Sequence, residues 1–278
     1  MTISEWMKRA IDALQTTGCP DPEIDARWIA EDVLGMTAPE LRFEAQHTPE
    51  AKKLAELDDC LRRRCAGEPV QYILKRADFM GLRLYVDERV LIPRQDTETL
   101  AEAAIVALQG MPRSNVLDLC TGSGAIGLSI ATLVPGARVT LTDVSAGALE
   151  VARKNAKNLN VSAEFHSGDL FQAVGKEKFD LIVSNPPYIP ASELSELQRE
   201  VQFEPAAALD GGADGLDFYR RIAEGAAAHL NPGGSIYLEV GAGQAEQVLA
   251  ILRAQLDAAA SGTQKDLNGI ERIVWLRS

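Results

Sequence analysis

From residue 94 to the C-terminus, short apolar runs of strand length alternate with stretches of helical period, and this alternation restricts the fold most. Strands are expected at 116–119, 138–143, 163–166, 179–184, 235–240 and 272–276. Helices are expected between them, at 97–108, 127–133, 146–158, 218–230 and 244–256. The repeat of strand and helix implies a mostly parallel sheet with helices on both faces, an α/β architecture of Rossmann-like type. Such sheets bind ligands at the carboxyl ends of their strands.

The N-terminal quarter reads differently. Trp6, Ala10, Ile11 and Leu14 recur at helical spacing, and Asp21-Pro22 opens a second helix with Asp21 at its N-cap. Ile24, Trp28, Ile29 and Val33-Leu34 mark the apolar face of that helix. Arg62-Arg63-Arg64 reads as a solvated helix face. Residues 1–69 are therefore expected to form a small helical bundle. From 70 the period changes: Phe79 to Val86 alternates and Val90-Leu91-Ile92 follows, so 70–93 is expected to be a β-hairpin linker leading into an α/β domain at 94–278.

Composition closes off several classes. No apolar run reaches the ~18 residues of a membrane span. The start, MTISEWMKRAIDAL, carries Glu5 and Asp12 and lacks a signal peptide's apolar core, so a soluble, cytoplasmic protein is expected. A net charge of -12 disfavours binding to a phosphate backbone. The four cysteines and three histidines show no metal-ligand spacing, and no metal is expected.

Asp118-Leu119-Cys120-Thr121-Gly122-Ser123-Gly124 ends the first strand of the alternating region and leads into Gly127 and a helix. Small residues there let a ligand approach the backbone, and the helix start offers free amides. The same pattern serves a pyrophosphate in a dinucleotide fold or the amino-acid end of S-adenosylmethionine. A carboxylate at Asp118 repels the first and suits the second, which carries a sulfonium and an ammonium group. Asp143, ending the next strand, suits ribose hydroxyls in either fold, with Ser145 free to cap the following helix. Asp169, through its side chain or the adjoining backbone, is placed to read an adenine edge, with Leu170 and Phe171 against the ring.

Asn185-Pro186-Pro187-Tyr188 follows the buried run Asp180-Leu181-Ile182-Val183-Ser184. A planar NH2 group is a poor nucleophile because its lone pair is delocalised. The Asn185 side-chain oxygen and the Pro186 carbonyl can accept its two hydrogens, while Pro187 brings no competing N–H. Tyr188 can pack on the planar amide. Acceptor dipoles fixed around a nitrogen that gains positive charge stabilise the transition state of its alkylation.

With these residues the chain resembles a class I S-adenosylmethionine-dependent amino-methyltransferase. Further stretches resemble the release factor glutamine methyltransferase family: 67–73 (GEPVQYI), 79–82 (FMGL), 90–94 (VLIPR) with Thr97-Glu98, Phe203-Glu204-Pro205 with Ala208-Leu209, Gly211-Gly212 with Asp214-Gly215-Leu216, and Leu238-Glu239-Val240-Gly241 with Gln244. The resemblance implies methylation of a glutamine side-chain N5 in the Gly-Gly-Gln loop of class I peptide chain release factors. It implies that the helical domain recognises the substrate protein. It also implies that Cys120, Thr121, Gly122, Ser123 and Gly124, with Asp143, Leu170 and Asn185, contact the cofactor, and that residues 185–188 hold the glutamine. Three positions depart from the family pattern: Cys120 and Lys75 stand where glycine is usual, and Gln95-Asp96 where Pro-Glu is.

Rival readings are a methyltransferase acting on a ribosomal-protein glutamine, an adenine-N6 nucleic-acid methyltransferase and a non-catalytic cofactor-binding scaffold. The 92–98 stretch (IPRQDTE) favours the release-factor branch, the acidic surface disfavours a nucleic-acid substrate, and the intact residues 185–188 disfavour a scaffold. A nicotinamide dehydrogenase leaves that tetrapeptide unexplained.

Overall fold

The computed structural model describes residues 1–278. The chain divides into two compact units, Met1–Arg76 with Gln198–Phe203, and Ala77–Leu197 with Glu204–Ser278. No helix is long and apolar enough to cross a membrane.

The first unit contains α1 (Ile3–Thr16), α2 (Pro22–Leu34), α3 (Ala38–Phe43), α4 (Ala51–Cys65) and α5 (Val70–Leu74). Thr2 and Glu5 form a capping box at the start of α1, and Ile3, Trp6, Ala10 and Leu14 turn one buried stripe inward. In α2 the buried stripe is Asp25, Ala26, Ile29, Ala30 and Val33, so Ile24 lies outside it. Asp21 occupies the N-cap position but makes no side-chain capping bond. The start of this helix rests on Pro22 at its first turn instead.

Buried Asp25 is answered from α4. Arg64 Nε lies 2.5 Å from Asp25 Oδ2, and Arg64 Nη2 pairs with Glu200. The arginine run is thus not one solvated face. Successive helical residues point about 100° apart, so Arg62 faces water while Arg64 is buried. Residues 70–74, expected in a hairpin linker, form a helical turn that ends at Lys75 in the left-handed conformation (φ 57°). That conformation explains why glycine is usual there.

The second unit opens with a short hairpin, β1 (Ala77–Phe79) and β2 (Leu82–Leu84), paired antiparallel. Its two turn residues, Met80 (φ 52°) and Gly81 (φ 73°), both take positive φ, the signature of a tight two-residue hairpin loop. Residues 90–92, expected to be a strand, form none. Then follow α6 (Gln95–Ala107), β3 (Asn115–Leu119), α7 (Ala125–Leu133), β4 (Arg138–Asp143), α8 (Ala146–Leu159), β5 (Glu164–Ser167), β6 (Phe179–Ser184), α9 (Asp217–His229), β7 (Leu230–Glu239), α10 (Ala245–Gln255), β8 (Ala260–Lys265) and β9 (Glu271–Arg277).

These strands build a seven-stranded sheet in the order β5-β4-β3-β6-β7-β9-β8. β3 to β7 run parallel, and β9 and β8 close the edge antiparallel. The chain winds outward from β3 through β4 to β5, then returns to β6 on the other side of β3. That reversal between β3 and β6 is the topological switch point, where a crevice opens at the strands' carboxyl ends. One core cluster gathers Leu117, Leu119, Phe171, Ile222, Ile236 and Leu238, and a second gathers Leu100, Val116, Leu128, Leu141, Ala152 and Val183. Strands apolar on both faces fit between them.

Candidate active site

A cleft of about 800 Å³ lies over the switch point. Its floor carries Cys120, Gly122, Thr142, Asp143 and Asn185, from the ends of β3, β4 and β6. Val144, Ala148, Leu170 and Phe218 give it apolar walls, joined by Val90, Leu91, Pro205, Ala207 and Ala208. A smaller space of about 390 Å³ adjoins it, lined by Pro93, Arg94, Thr97, Thr121, Ser123 and Ile126. Leu91, Cys120, Gly122 and Asn185 belong to both, so Asn185 stands where the two meet.

The loop after β3 turns through three left-handed residues, Cys120 (φ 56°), Gly122 (φ 55°) and Gly124 (φ 83°). A Cβ on Gly122 would meet nothing within 4 Å, so its backbone lies open to the cleft. Gly127 serves packing instead: a Cβ there would sit 2.8 Å from Asp118 Oδ2. That oxygen accepts the Gly127 amide at 2.9 Å and the Thr121 hydroxyl at 2.5 Å. Asp118 is fully buried and lines neither space, so the expectation that it faces a ligand's cation is corrected. It pins the loop to the start of α7. Burial pushes its carboxyl up to about 7 despite those two bonds.

Asp143 Oδ2 accepts the Gly122 amide and Oδ1 the Ser145 amide, both at 2.9 Å. Ser145 Oγ caps α8 through the Ala148 amide, which leaves Asp143 free of capping duty. A carboxylate has about four acceptor positions, so even with the Val144 amide also directed at it, acceptor capacity remains for a hydroxyl in the cleft. Burial raises its pKa above the usual carboxylate range. Asp169 lies at the cleft wall, but its Oδ2 is held by Arg221 at 2.5 Å. Leu170 beside it takes φ 50° and faces the cleft. Phe171 does not: it stacks on His229 at 4.5 Å in the core, which corrects its expected place against a ligand ring.

Asn185 Nδ2 donates to Thr97 Oγ1 at 3.2 Å. Pro186 and Pro187 are buried, and only Pro187 lines the cleft. The Tyr188 ring lies against Gly241 rather than in the open space, and its carbonyl accepts Gln244 Nε2 at 3.0 Å. Burial pushes the Tyr188 hydroxyl up to about 12. Residues 185–188 are thus one turn held from several sides. Gly211 and Gly215 pass so close to Tyr188 that a Cβ would sit 2.7 Å and 2.4 Å from its backbone.

Several residues of the site carried no role in the sequence reading. Glu204 accepts the Ile92 amide at 3.0 Å and pairs with Arg94, tying the 90–94 segment to the Pro205–Ala208 wall. Its signal was the Phe203-Glu204-Pro205 stretch, whose partner is 110 residues distant and invisible in one dimension. Asn155, fully buried on α8, donates to the carbonyls of Ser123 and Tyr85, both at 2.9 Å, and so braces the loop after β3. Val144 and Phe218 showed only as apolar residues.

The cleft suits S-adenosylmethionine. Asp143 offers acceptors to a ribose, the apolar walls offer a slot to a flat base, and the open Gly122 backbone borders the neighbouring space. Fold and cleft together define a class I S-adenosylmethionine-dependent methyltransferase. Two family descriptions match the chain, the PrmC N-terminal domain over residues 5–74 and the methyltransferase small domain over residues 97–213. The release factor glutamine methyltransferase of Bordetella pertussis is 44% identical, covering 91% of this chain and 93% of its own. That of Geobacter sulfurreducens is 41% identical over 94% and 91%, and that of Caulobacter vibrioides 39% over 99% and 96%. The chain belongs to the release factor glutamine methyltransferase family. Among solved structures, the hMettl16 catalytic domain in complex with a MAT2A 3'UTR hairpin superposes with a TM-score of 0.58 at 17% identity, covering 91% of this chain and 90% of that one. An Agrobacterium tumefaciens SAM-dependent methyltransferase superposes at 0.51 and 15% identity, covering 73% and 69%. At these identities the likeness concerns the fold.

Proposed function

We propose that this enzyme methylates the side-chain N5 of the glutamine in the Gly-Gly-Gln motif of class I peptide chain release factors. The observation that carries the reading is the place of Asn185, at the junction of the two spaces with its Nδ2 engaged by Thr97. That engagement leaves Oδ1 for an incoming amide. The near full-length relatives named for this activity support the substrate.

Bound S-adenosylmethionine supplies an electrophilic methyl group on a sulfonium. Asp143 would hold its ribose, Leu170 and the Asp169 backbone would border its adenine, and the 120–124 loop would border its amino-acid end. Asn185 Oδ1 and the Pro186 carbonyl accept the two N5 hydrogens and aim the nitrogen at the methyl carbon. As the nitrogen gains positive charge, the two acceptor dipoles already face it. The product nitrogen then releases a proton to water, since a cationic amide nitrogen is strongly acidic. Tyr188 anchors the turn from below rather than covering the amide. The helical unit recognises the release factor, and nucleic acid is not a substrate of a surface this acidic.

Asn185→Ala tests the reading. It removes one of two acceptors, and kcat for methylation of a purified release factor is expected to fall by roughly 10²–10³-fold. The dissociation constant for S-adenosylmethionine is expected to change far less. An unchanged kcat contradicts the proposed chemistry.

A further inference from the structure

The amide of Asn185 can present either its oxygen or its nitrogen to the junction, and only the oxygen can accept a hydrogen from an incoming NH2. The covalent energy of the two orientations is the same, so neighbours must choose. Thr97 alone cannot, because a hydroxyl both donates and accepts. The deciding group is a third one that touches both. Ser184 on β6 pairs with Leu238 on β7, which sets Asn185 beside Glu239 at the strand ends. Glu239 is 2% exposed, and its carboxyl interacts with both Thr97 and Asn185. One of its oxygens, Oε2, has no hydrogen-bond partner within the protein. A charge buried this deeply is expensive, and an otherwise useful site must explain it.

We propose that Glu239 is a positioning residue that fixes the orientation of the Asn185 amide. The ionised carboxylate can only accept. It takes the Thr97 hydrogen, so the Thr97 oxygen must accept from Asn185 Nδ2, at 3.2 Å. The Asn185 oxygen is thereby turned to the junction. When Glu239 is protonated, its O–H can donate to Thr97, the chain of donors loses its direction, and the amide is free to turn. This inference rests on Asn185 holding the substrate amide.

The surroundings set where that switch falls. Burial raises the Glu239 carboxyl to about 7, against the lowering effect of Thr97, Asn185 and Arg272. Asp96 raises it too, but Asp96 is itself 3.5 Å from Arg272, whose Nε is 3.4 Å from Asp266. The Tyr188 and Tyr219 hydroxyls face the carboxylate's field and stay neutral, and Tyr219 donates to the Glu239 backbone carbonyl at 2.8 Å. Below its pKa the acid can donate as well as accept, and it no longer fixes the direction of the chain. The predicted kcat therefore rises as pH climbs through about 7.

The test uses the whole enzyme, a purified class I release factor and S-adenosylmethionine, with wild type, Glu239→Gln, Thr97→Ser and Thr97→Val compared from pH 6 to 9. Glu239→Gln is expected to lower kcat roughly tenfold to hundredfold. It should leave KM nearly unchanged and flatten the rise through neutral pH. Thr97→Ser, which keeps the hydroxyl, should retain activity, and Thr97→Val should behave like Glu239→Gln. A Glu239→Gln enzyme with wild-type kcat and pH profile overturns the inference. A second readout needs no turnover: the Asn185 side-chain NH2 resonances, assigned by their loss in Asn185→Ser, should titrate near neutral pH in wild type and not in Glu239→Gln. Resonances that do not move with pH in wild type also overturn it. Wild-type protein that fails to methylate a release factor while its Asn185 resonances titrate would count against the substrate alone.

Discussion

Cys120 shows how one residue can be legible in kind yet not in cause. It stands where glycine is usual, and it takes φ 56° in the loop after β3. A side chain in the left-handed region costs about 1–2 kcal/mol, while glycine costs roughly 0.5–1 kcal/mol in chain entropy. The two oppose each other, so Cys120→Gly is expected to shift stability by less than about 1.5 kcal/mol and to leave cofactor affinity intact. Cys120→Val, β-branched at the same φ, should lower the melting temperature clearly. Thermal denaturation and a cofactor titration check both. Burial and the nearby Asp143 push the pKa of the Cys120 thiol up. Asp118 teaches the opposite lesson. Its position before the glycine loop was legible, but charge alone suggested a ligand contact, and only the fold shows it turned to Gly127 and Thr121.

Among the elements, the parallel strands and their helices were readable because each carries its own period, apolar throughout for buried strands and 3.6-residue for helices. β8 was not. Its residues, Ala-Ser-Gly-Thr-Gln-Lys, have no alternation, and it exists as an edge strand because β9 offers it a ladder. The 185–188 turn was recognised as a motif, but what holds it came from three distant segments: Thr97 on α6, Gly211 and Gly215 before α9, and Gln244 before α10. Gly215 takes φ 75°, and a Cβ there would lie 2.4 Å from the Tyr188 carbonyl oxygen. Gly215→Ala must therefore push the turn or distort its own backbone. It is expected to cost about 2–4 kcal/mol of stability and to lower kcat more than the fold loss explains. Measuring kcat on the folded fraction well below the melting temperature separates the two effects. An enzyme unchanged in both respects would show that the turn tolerates displacement.

At the scale of the molecule, the period of the sequence changes near residue 70, whereas the compact units divide at Arg76–Ala77 and the first of them takes in a remote segment. Gln198–Phe203, far along the chain, belongs to the helical unit, where Glu200 meets buried Arg64. No local pattern marks a segment whose partner is 136 residues away. The most direct test is mass spectrometry of a purified class I release factor incubated with this enzyme and S-adenosylmethionine. The account predicts a gain of one methyl group, mapped by fragmentation to the glutamine of the Gly-Gly-Gln motif and absent with Asn185→Ala. A methyl group on any other residue, or on a ribosomal protein in place of the release factor, would contradict it.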